Sequence, residues 1–320
     1  MQWEDELFYK DFFLLILDLA SKFFHFFKVY INVTEFVLSR VEKGLIMSAW
    51  VTEKMAGHCG ARLSGVSLSN ATNSDLEKMR SALFAHGVIV MPGQNLTPND
   101  HIRLAEFFGD IDVNRFFTPV SDYPVIAEVR TSADQSEVIG GTWHTDHSYD
   151  PAPAMCSILS ARELPPYGGD THFASMAAAY RAMSPGLQKM LCGLSAWHSD
   201  SSFLDSNVGF ENNPDAFRDP VLHPVIVKHP VTGTPCVYVN GDFTTHFENW
   251  SKEESASFLE YIYRFVTQPI FTARVVWEPG MVAIWDNRLV QHYATADYSG
   301  HPRLMHRITV EGVPLEGFDY

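Results

Sequence analysis

The chain is short of cysteine, short of positive charge and without a long apolar run, and each shortage excludes something. Its four cysteines, Cys59, Cys156, Cys192 and Cys236, are widely spaced and form no Cys-x-x-Cys pair. They read as buried thiols in a reducing compartment, the cytoplasm, and not as a disulfide framework. Lysine and arginine number 23 against 38 acidic residues, a net charge of −15. Nucleic-acid binders carry basic faces, so nucleic acid is not an expected partner. A few local arginines can still build a cationic pocket for a small anion. The longest uncharged stretch near the start, Phe12 to Leu17, is bounded by Asp11 and Asp18. That is far short of the ~20 residues that span a bilayer, so no integral membrane span is expected. A secretory leader wants a basic start, and this one opens with Glu4, Asp5 and Glu6.

The chain is well supplied with apolar and aromatic residues. Hydrophobic residues make up 46%, with 23 Phe and 7 Trp, while 19% are charged. That balance suits a sizeable packed core and not a disordered chain. Residues 1–46 contain no proline and read as one or two amphipathic helices, a helical extension outside the catalytic fold. Met47 makes a natural domain start, and an upstream translation artefact is the second reading of the extension. Residues 47–320 are expected to form one domain.

Within it, Asp75 to His86 reads as a helix capped by Asn73 or Ser74, with Leu76, Met79, Leu83 and Phe84 on one stripe. Val88 to Met91 reads as a buried strand. Thr97-Pro98 opens a helix running to Phe108, and Ser251 to Val266 forms another behind a capping box. The runs 221–229, 236–239, 271–278, 281–285 and 303–310 read as strands. The sum is a mainly β, α+β domain with helices on one side, as a decorated jelly roll would read.

Residues 140–150, Gly-Gly-Thr-Trp-His-Thr-Asp-His-Ser-Tyr-Asp, form the densest cluster of metal-capable side chains. His144 and Asp146 stand two apart, so on an extended segment both reach one ion. A second His-x-Asp, His198-Ser199-Asp200, shows that the tripeptide alone is weak. The third ligand is expected from His292, which follows a strand and a turn. Two histidines and one carboxylate on one face of an ion leave positions open for co-substrate and O₂, as in non-haem Fe(II) oxygenases. Arg303 and Arg307, four apart on a strand, face the same side and offer guanidinium recognition of carboxylates or sulfonates.

Taken in order, Trp143-His144-Thr145-Asp146, Pro151 to Ala154, Gly168-Gly169-Asp170-Thr171, and Trp285-Asp286-Asn287-Arg288 followed by His292, Arg303 and Arg307 resemble the taurine dioxygenase (TauD/TfdA) family of Fe(II)/2-oxoglutarate-dependent dioxygenases. The resemblance covers roughly residues 50 to 312. It implies a double-stranded β-helix (jelly roll, cupin-like) core with flanking helices. It also implies His144, Asp146 and His292 as Fe(II) ligands, with 2-oxoglutarate and O₂ as co-substrates, and Thr171 and Arg303 as partners of 2-oxoglutarate. Arg307 would meet the anionic group of the substrate. Phe243 would line the substrate pocket, with Ser202 or Phe203. The reaction implied is hydroxylation of a substrate C–H bond, with 2-oxoglutarate converted to succinate and CO₂.

The chain also departs from the taurine enzymes, where a histidine, a tyrosine and an asparagine help hold the substrate. Asp112 to Thr118 holds neither His nor Tyr. Its candidates are Asn114 and Phe117, with Phe116 beside it, and Gly140-Gly141 stands before Thr142-Trp143. The expected substrate is therefore a small organic acid larger or more apolar than taurine. Taurine or another alkylsulfonate, cleaved to release sulfite, is the alternative. Rival readings are a zinc hydrolase using His144, Asp146 and His147, and a non-catalytic sensor. The hydrolase would leave Thr171 and Arg303 without a task. Further copies of the chain remain an optional partner. His147 is expected behind the ligands; Asp286 and Asn287 read as turn formers, Arg288 as an ion-pair partner, and Arg130 and Arg162 as solvated charges.

Overall fold

A computed structural model describes residues 50–135, 138, 140–205 and 218–320; the expected extension, 1–46, lies outside them. Sheet dominates the described part, with helices packed on it, a mixed α+β architecture. The largest sheet runs in the order β1 (Val51–Lys54), β2 (Ala61–Ser64), β3 (Val88–Met91), β15 (Val282–Asp286), β7 (Cys156–Glu163), β17 (Arg303–Val310), β6 (Tyr123–Thr131) and β5 (Pro119–Val120). A two-residue strand, β4 (Ile111–Asp112), pairs with β17. A second sheet is β14 (Thr272–Val275), β8 (Thr171–Ser175) and β16 (Val290–Ala294). Two smaller sheets join β10 (Val221–Pro224), β9 (Ser195–His198) and β13 (Thr244–Phe247), and β12 (Pro235–Val237), β11 (Ile226–Lys228) and β18 (Glu316–Gly317).

The alternation of side chains along the central strands divides the core in two. Ile89, Met91, Ile158, Val282, Ile284 and Ile308 face one way, onto helices α1 (Asn73–His86) and α2 (Pro98–Phe108). Val88, Val90, Leu159, Ala283, Trp285 and Met305 face the other way. There they meet Phe173, Ala273, Val275 and Val290 of the second sheet, with α3 (Met176–Ala182), α4 (Pro185–Cys192) and α5 (Lys252–Val266) behind it. The helices thus lie on both sides, which corrects the one-sided expectation. The continuous burial of Val88–Met91 is the mark of a strand covered on both faces.

The helix starts follow local chemistry. Thr72, not Asn73 or Ser74, caps α1, because its hydroxyl accepts from the Asp75 N–H and Asp75 accepts from the Thr72 N–H. Thr97 with Asp100 and Ser251 with Glu254 repeat the device at α2 and α5. The run 221–229 is two strands in different sheets, β10 beside β9 and β11 beside β12, with Val225 between them.

Candidate metal and co-substrate site

The site is assembled where the inner face of the large sheet meets the second sheet. His292 sits mid-strand in β16, and Thr171 is the first residue of β8 beside it. Arg303 and Arg307 lie four apart on β17. The segment with His144 is no extended strand, contrary to expectation. His144 makes a single antiparallel bridge to His292, with main-chain hydrogen bonds of 3.0 and 2.9 Å, and the chain then turns at Asp146. The bridge brings the imidazoles together at a ring-centroid distance of 4.1 Å.

Among the described residues, His144, Asp146 and His292 offer ligand atoms all within 4.8 Å of one another, and all three are buried. His144 Nδ1–H donates to the Thr142 carbonyl at 2.7 Å, which leaves Nε2 to face Asp146 Oδ1 at 3.7 Å. His292 Nε2 lies 3.9 Å from Asp146 Oδ2. Burial pushes the Asp146 carboxyl up, but the Arg307 guanidinium and the contact with His144 outweigh it and hold it well below the usual range. Burial and the neighbouring His144 press His292 well below the ordinary histidine value, so its imidazole is neutral. Two imidazoles and an ionised carboxylate on one side of a buried point suit a divalent metal.

A cavity opens beside these groups, lined by His144, His292, Thr171, Arg303, Arg307, Val129, Gly140, Leu159, Trp285 and Ala294. Arg303 is 4% exposed, and its Nε has no hydrogen-bond partner among the described residues. Burial pulls its pKa down, opposed by Tyr298 and Asp170; Asp170 itself is engaged by Arg274. A buried guanidinium with no carboxylate of its own among the described residues fits an incoming anion. The Thr171 hydroxyl accepts from Trp277 Nε1 at 3.0 Å, which leaves its proton for a further acceptor. Gly169, at φ +68°, passes so close that a Cβ would lie 3.2 Å from Arg303 Cδ.

The expected pocket residues divide. Phe243, Phe203 and Phe117 gather with Phe116 and Tyr149 in one aromatic cluster. Phe243 stands edge-on to His144 at 6.1 Å, and the Arg307 guanidinium lies 4.7 Å from the Phe117 ring. Asn114 is spent on the fold: its Oδ1 accepts from the Phe116 and Phe117 N–H groups, and its amide lies 3.3 Å from His147 Nε2. Of the alternatives Ser202 and Phe203, Phe203 joins the cluster, 4.7 Å from Phe116; the cavity lining itself includes none of Asn114, Phe117, Ser202, Phe203 and Phe243.

His147 adopts φ +57° and turns Nδ1 to Asp112 at 2.7 Å, away from the histidine–aspartate group. His198 lies 3.2 Å from the Ser148 hydroxyl, and Asp200 faces Arg115, so the second His-x-Asp is structural. Arg288 pairs with Asp286, as expected, but Asp286 also holds buried His229 at 3.0 Å. Arg162 is half-buried and donates to the Leu96 carbonyl, not a solvated charge. Ser157, Trp277 and the bridging role of Asn287 escaped sequence reading, because a lone strand serine or tryptophan carries no pattern.

Residues 52–309 match the model of the taurine catabolism dioxygenase TauD, TfdA family. The chain is 31% identical over 276 residues to an alpha-ketoglutarate-dependent sulfate ester dioxygenase of Pseudomonas putida, covering 83% of this chain and 90% of that one. It is 32% identical over 238 residues to an alpha-ketoglutarate-dependent 2,4-dichlorophenoxyacetate dioxygenase of Burkholderia sp. (strain RASC), covering 68% and 80%. A taurine dioxygenase structure from Burkholderia xenovorans superposes with a TM-score of 0.72 at 29% identity, covering 84% of this chain and 91% of that one.

Proposed function

Because the chain belongs to the TauD/TfdA family and is an oxidoreductase that uses Fe(II), 2-oxoglutarate and O₂, we propose that it hydroxylates a C–H bond of an organic anion larger and more apolar than taurine. The aromatic cluster carries this reading: Phe116, Phe117, Tyr149, Phe203 and Phe243 stand together beside His144 and Arg307. Each apolar group buried there gains ~25 cal/mol per Å² removed from water, and a two-carbon amine would use little of it. Substrates of the relatives, sulfate esters and an aryloxyacetate, join an anionic head to a larger body, in keeping with that surface.

In this reading His144, Asp146 and His292 hold Fe(II), which supplies the activation of O₂. Arg303 and the Thr171 hydroxyl would take a carboxylate of 2-oxoglutarate. Arg307 receives the substrate anion and the phenylalanines orient its body. No side chain acts as nucleophile or general base; the protein contributes ligand geometry, anion recognition and a cavity that limits water. We read the facing sheets as the jelly-roll core of this family, supported by the packing of Phe173 on Trp285 across them at 5.5 Å. The cytoplasm is the compartment in which the four free cysteines remain as thiols.

The test is succinate release from 2-oxoglutarate in air with Fe(II), across aryloxyalkanoates, sulfate esters, alkyl sulfonates and taurine, with His144→Ala as control. A compound-dependent rise that disappears in the variant supports the reading. No rise with any compound sets it aside.

A further inference from the structure

Asp286-Asn287 reads as a turn in sequence, yet Asn287 is 1% exposed and joins three other residues. Its Oδ1 accepts from Trp285 Nε1 at 3.0 Å and from the Asp146 main-chain N–H at 3.3 Å. Because both neighbours can only donate, the amide orientation is fixed, and Nδ2 must point the other way. There it donates to Ser157 Oγ at 3.2 Å. With that lone pair taken, the Ser157 hydroxyl proton goes to Asp146 Oδ2 at 2.6 Å. Every donor in the chain Trp285, Asn287, Ser157, Asp146 therefore points one way, ending on a carboxylate oxygen.

Asp146 needs such support. It lies in a turn outside any sheet, and a carboxylate is broadly free about its last torsion. Ser157 and Trp285 are register partners on adjacent strands β7 and β15, in the middle of the large sheet. Ser157 is fully buried, so its short charge-assisted bond meets no competing water.

We propose that Ser157 and Asn287 are positioning residues, which hold the Asp146 carboxylate in the one rotation that faces both His144 and His292 and thereby set the affinity of the site for its divalent metal. The proposal rests on the reading of those three residues as the ligand set. Hydrogen-bond partners of metal ligands change metal affinity by ~10–100-fold when removed. Arg307 holds the other oxygen of Asp146 at 3.2 Å, so the carboxylate plane is fixed from both of its oxygens.

The experiment is Mn(II) titration of the substrate-free full chain, followed by electron paramagnetic resonance, for wild type, Ser157→Ala, Asn287→Ala and His292→Ala, with the melting temperature of each metal-free protein measured in parallel. Ser157→Ala is expected to weaken Mn(II) binding at least tenfold while the metal-free melting temperature changes little; Asn287→Ala weakens it in the same direction. Mn(II) affinity within twofold of wild type in Ser157→Ala overturns the proposal, whatever its melting temperature. Retention of wild-type affinity in His292→Ala overturns the ligand set itself, a separate failure.

Discussion

Arg307 Nη1 lies 3.2 Å from Asp146 Oδ1, and the same guanidinium rests 4.7 Å from the Phe117 ring. One side chain therefore touches both the carboxylate of the histidine–aspartate group and the aromatic cluster. Its Nε has no partner among the described residues, so donor capacity remains for a substrate anion without breaking the contact to Asp146. With Arg307 in the role proposed for it, anion binding and the charge on Asp146 would be coupled through this arginine.

The first expectation follows from that sharing. Arg307→Lys keeps the charge but loses the planar fork, and Arg307→Met loses both. Charge-assisted hydrogen bonds contribute ~1.5–3 kcal/mol, so the substrate KM in Arg307→Met rises by about tenfold or more, with a smaller rise in Arg307→Lys. Initial rates of succinate release at varied substrate measure it. An unchanged KM in Arg307→Met removes the arginine from substrate recognition.

Arg303 should behave in two opposite ways. Among the described residues its buried guanidinium has no carboxylate of its own, so Arg303→Met relieves a desolvated charge in the ligand-free protein. The melting temperature without co-substrate should stay level or rise, while KM for 2-oxoglutarate increases at least tenfold. Thermal unfolding with and without 2-oxoglutarate separates the two effects. A marked loss of stability without the ligand would show that Arg303 serves the fold instead.

Gly140 makes a geometric prediction. Its φ is +76°, and an added Cβ would lie 2.9 Å from His144 Cε1. Gly140→Ala strains the backbone by ~1 kcal/mol and pushes the imidazole. Mn(II) affinity should fall severalfold, read by the same titration; wild-type affinity would mean that the histidine has room to yield.

Acid stability has a definite sign. Burial lowers His101 from 6.5 to about 3, opposed by its bond to the Ile158 carbonyl and reinforced by Arg162 and His306. The folded pKa is depressed, so the unfolded chain binds this proton first. Stability is intact above the unfolded pKa of 6.5 and declines as pH falls from there toward 3. One such group contributes a slope of up to about 1.4 kcal/mol per pH unit. Urea unfolding at pH 7.5, 6 and 5 should show the decline, and His101→Gln should flatten it. An identical slope in the variant would assign the acid sensitivity to other groups.

Sequence carried the site further than the fold. The spacing of His144, Asp146, His292, Thr171, Arg303 and Arg307 was legible because each lies in a short motif, and the structure gathers all six around one cavity or its edge. The run 303–310 reads as a strand in sequence, and its bounds agree. Asp286 and Asn287 form the turn that their residue types signal, closed by the Leu289 N–H on the Asp286 carbonyl at 3.0 Å, but nothing local says that the Asn287 amide meets Ser157, 130 residues away. The Oδ1 of Asn114, a pocket candidate in sequence, accepts from the Phe116 and Phe117 N–H groups, a contact that no sequence motif announces. The two-sided helix layer was missed because a run such as Val88–Met91 reports burial without saying what covers it.

The central claim is that the aromatic cluster selects an apolar anion. It is tested most directly by comparing kcat/KM for succinate release with taurine against an alkyl sulfonate lengthened by three or more methylenes. At ~0.8 kcal/mol per buried methylene, the longer anion should be favoured by about tenfold or more, and Phe243→Ala should narrow the gap. Equal or better turnover of taurine would contradict the account.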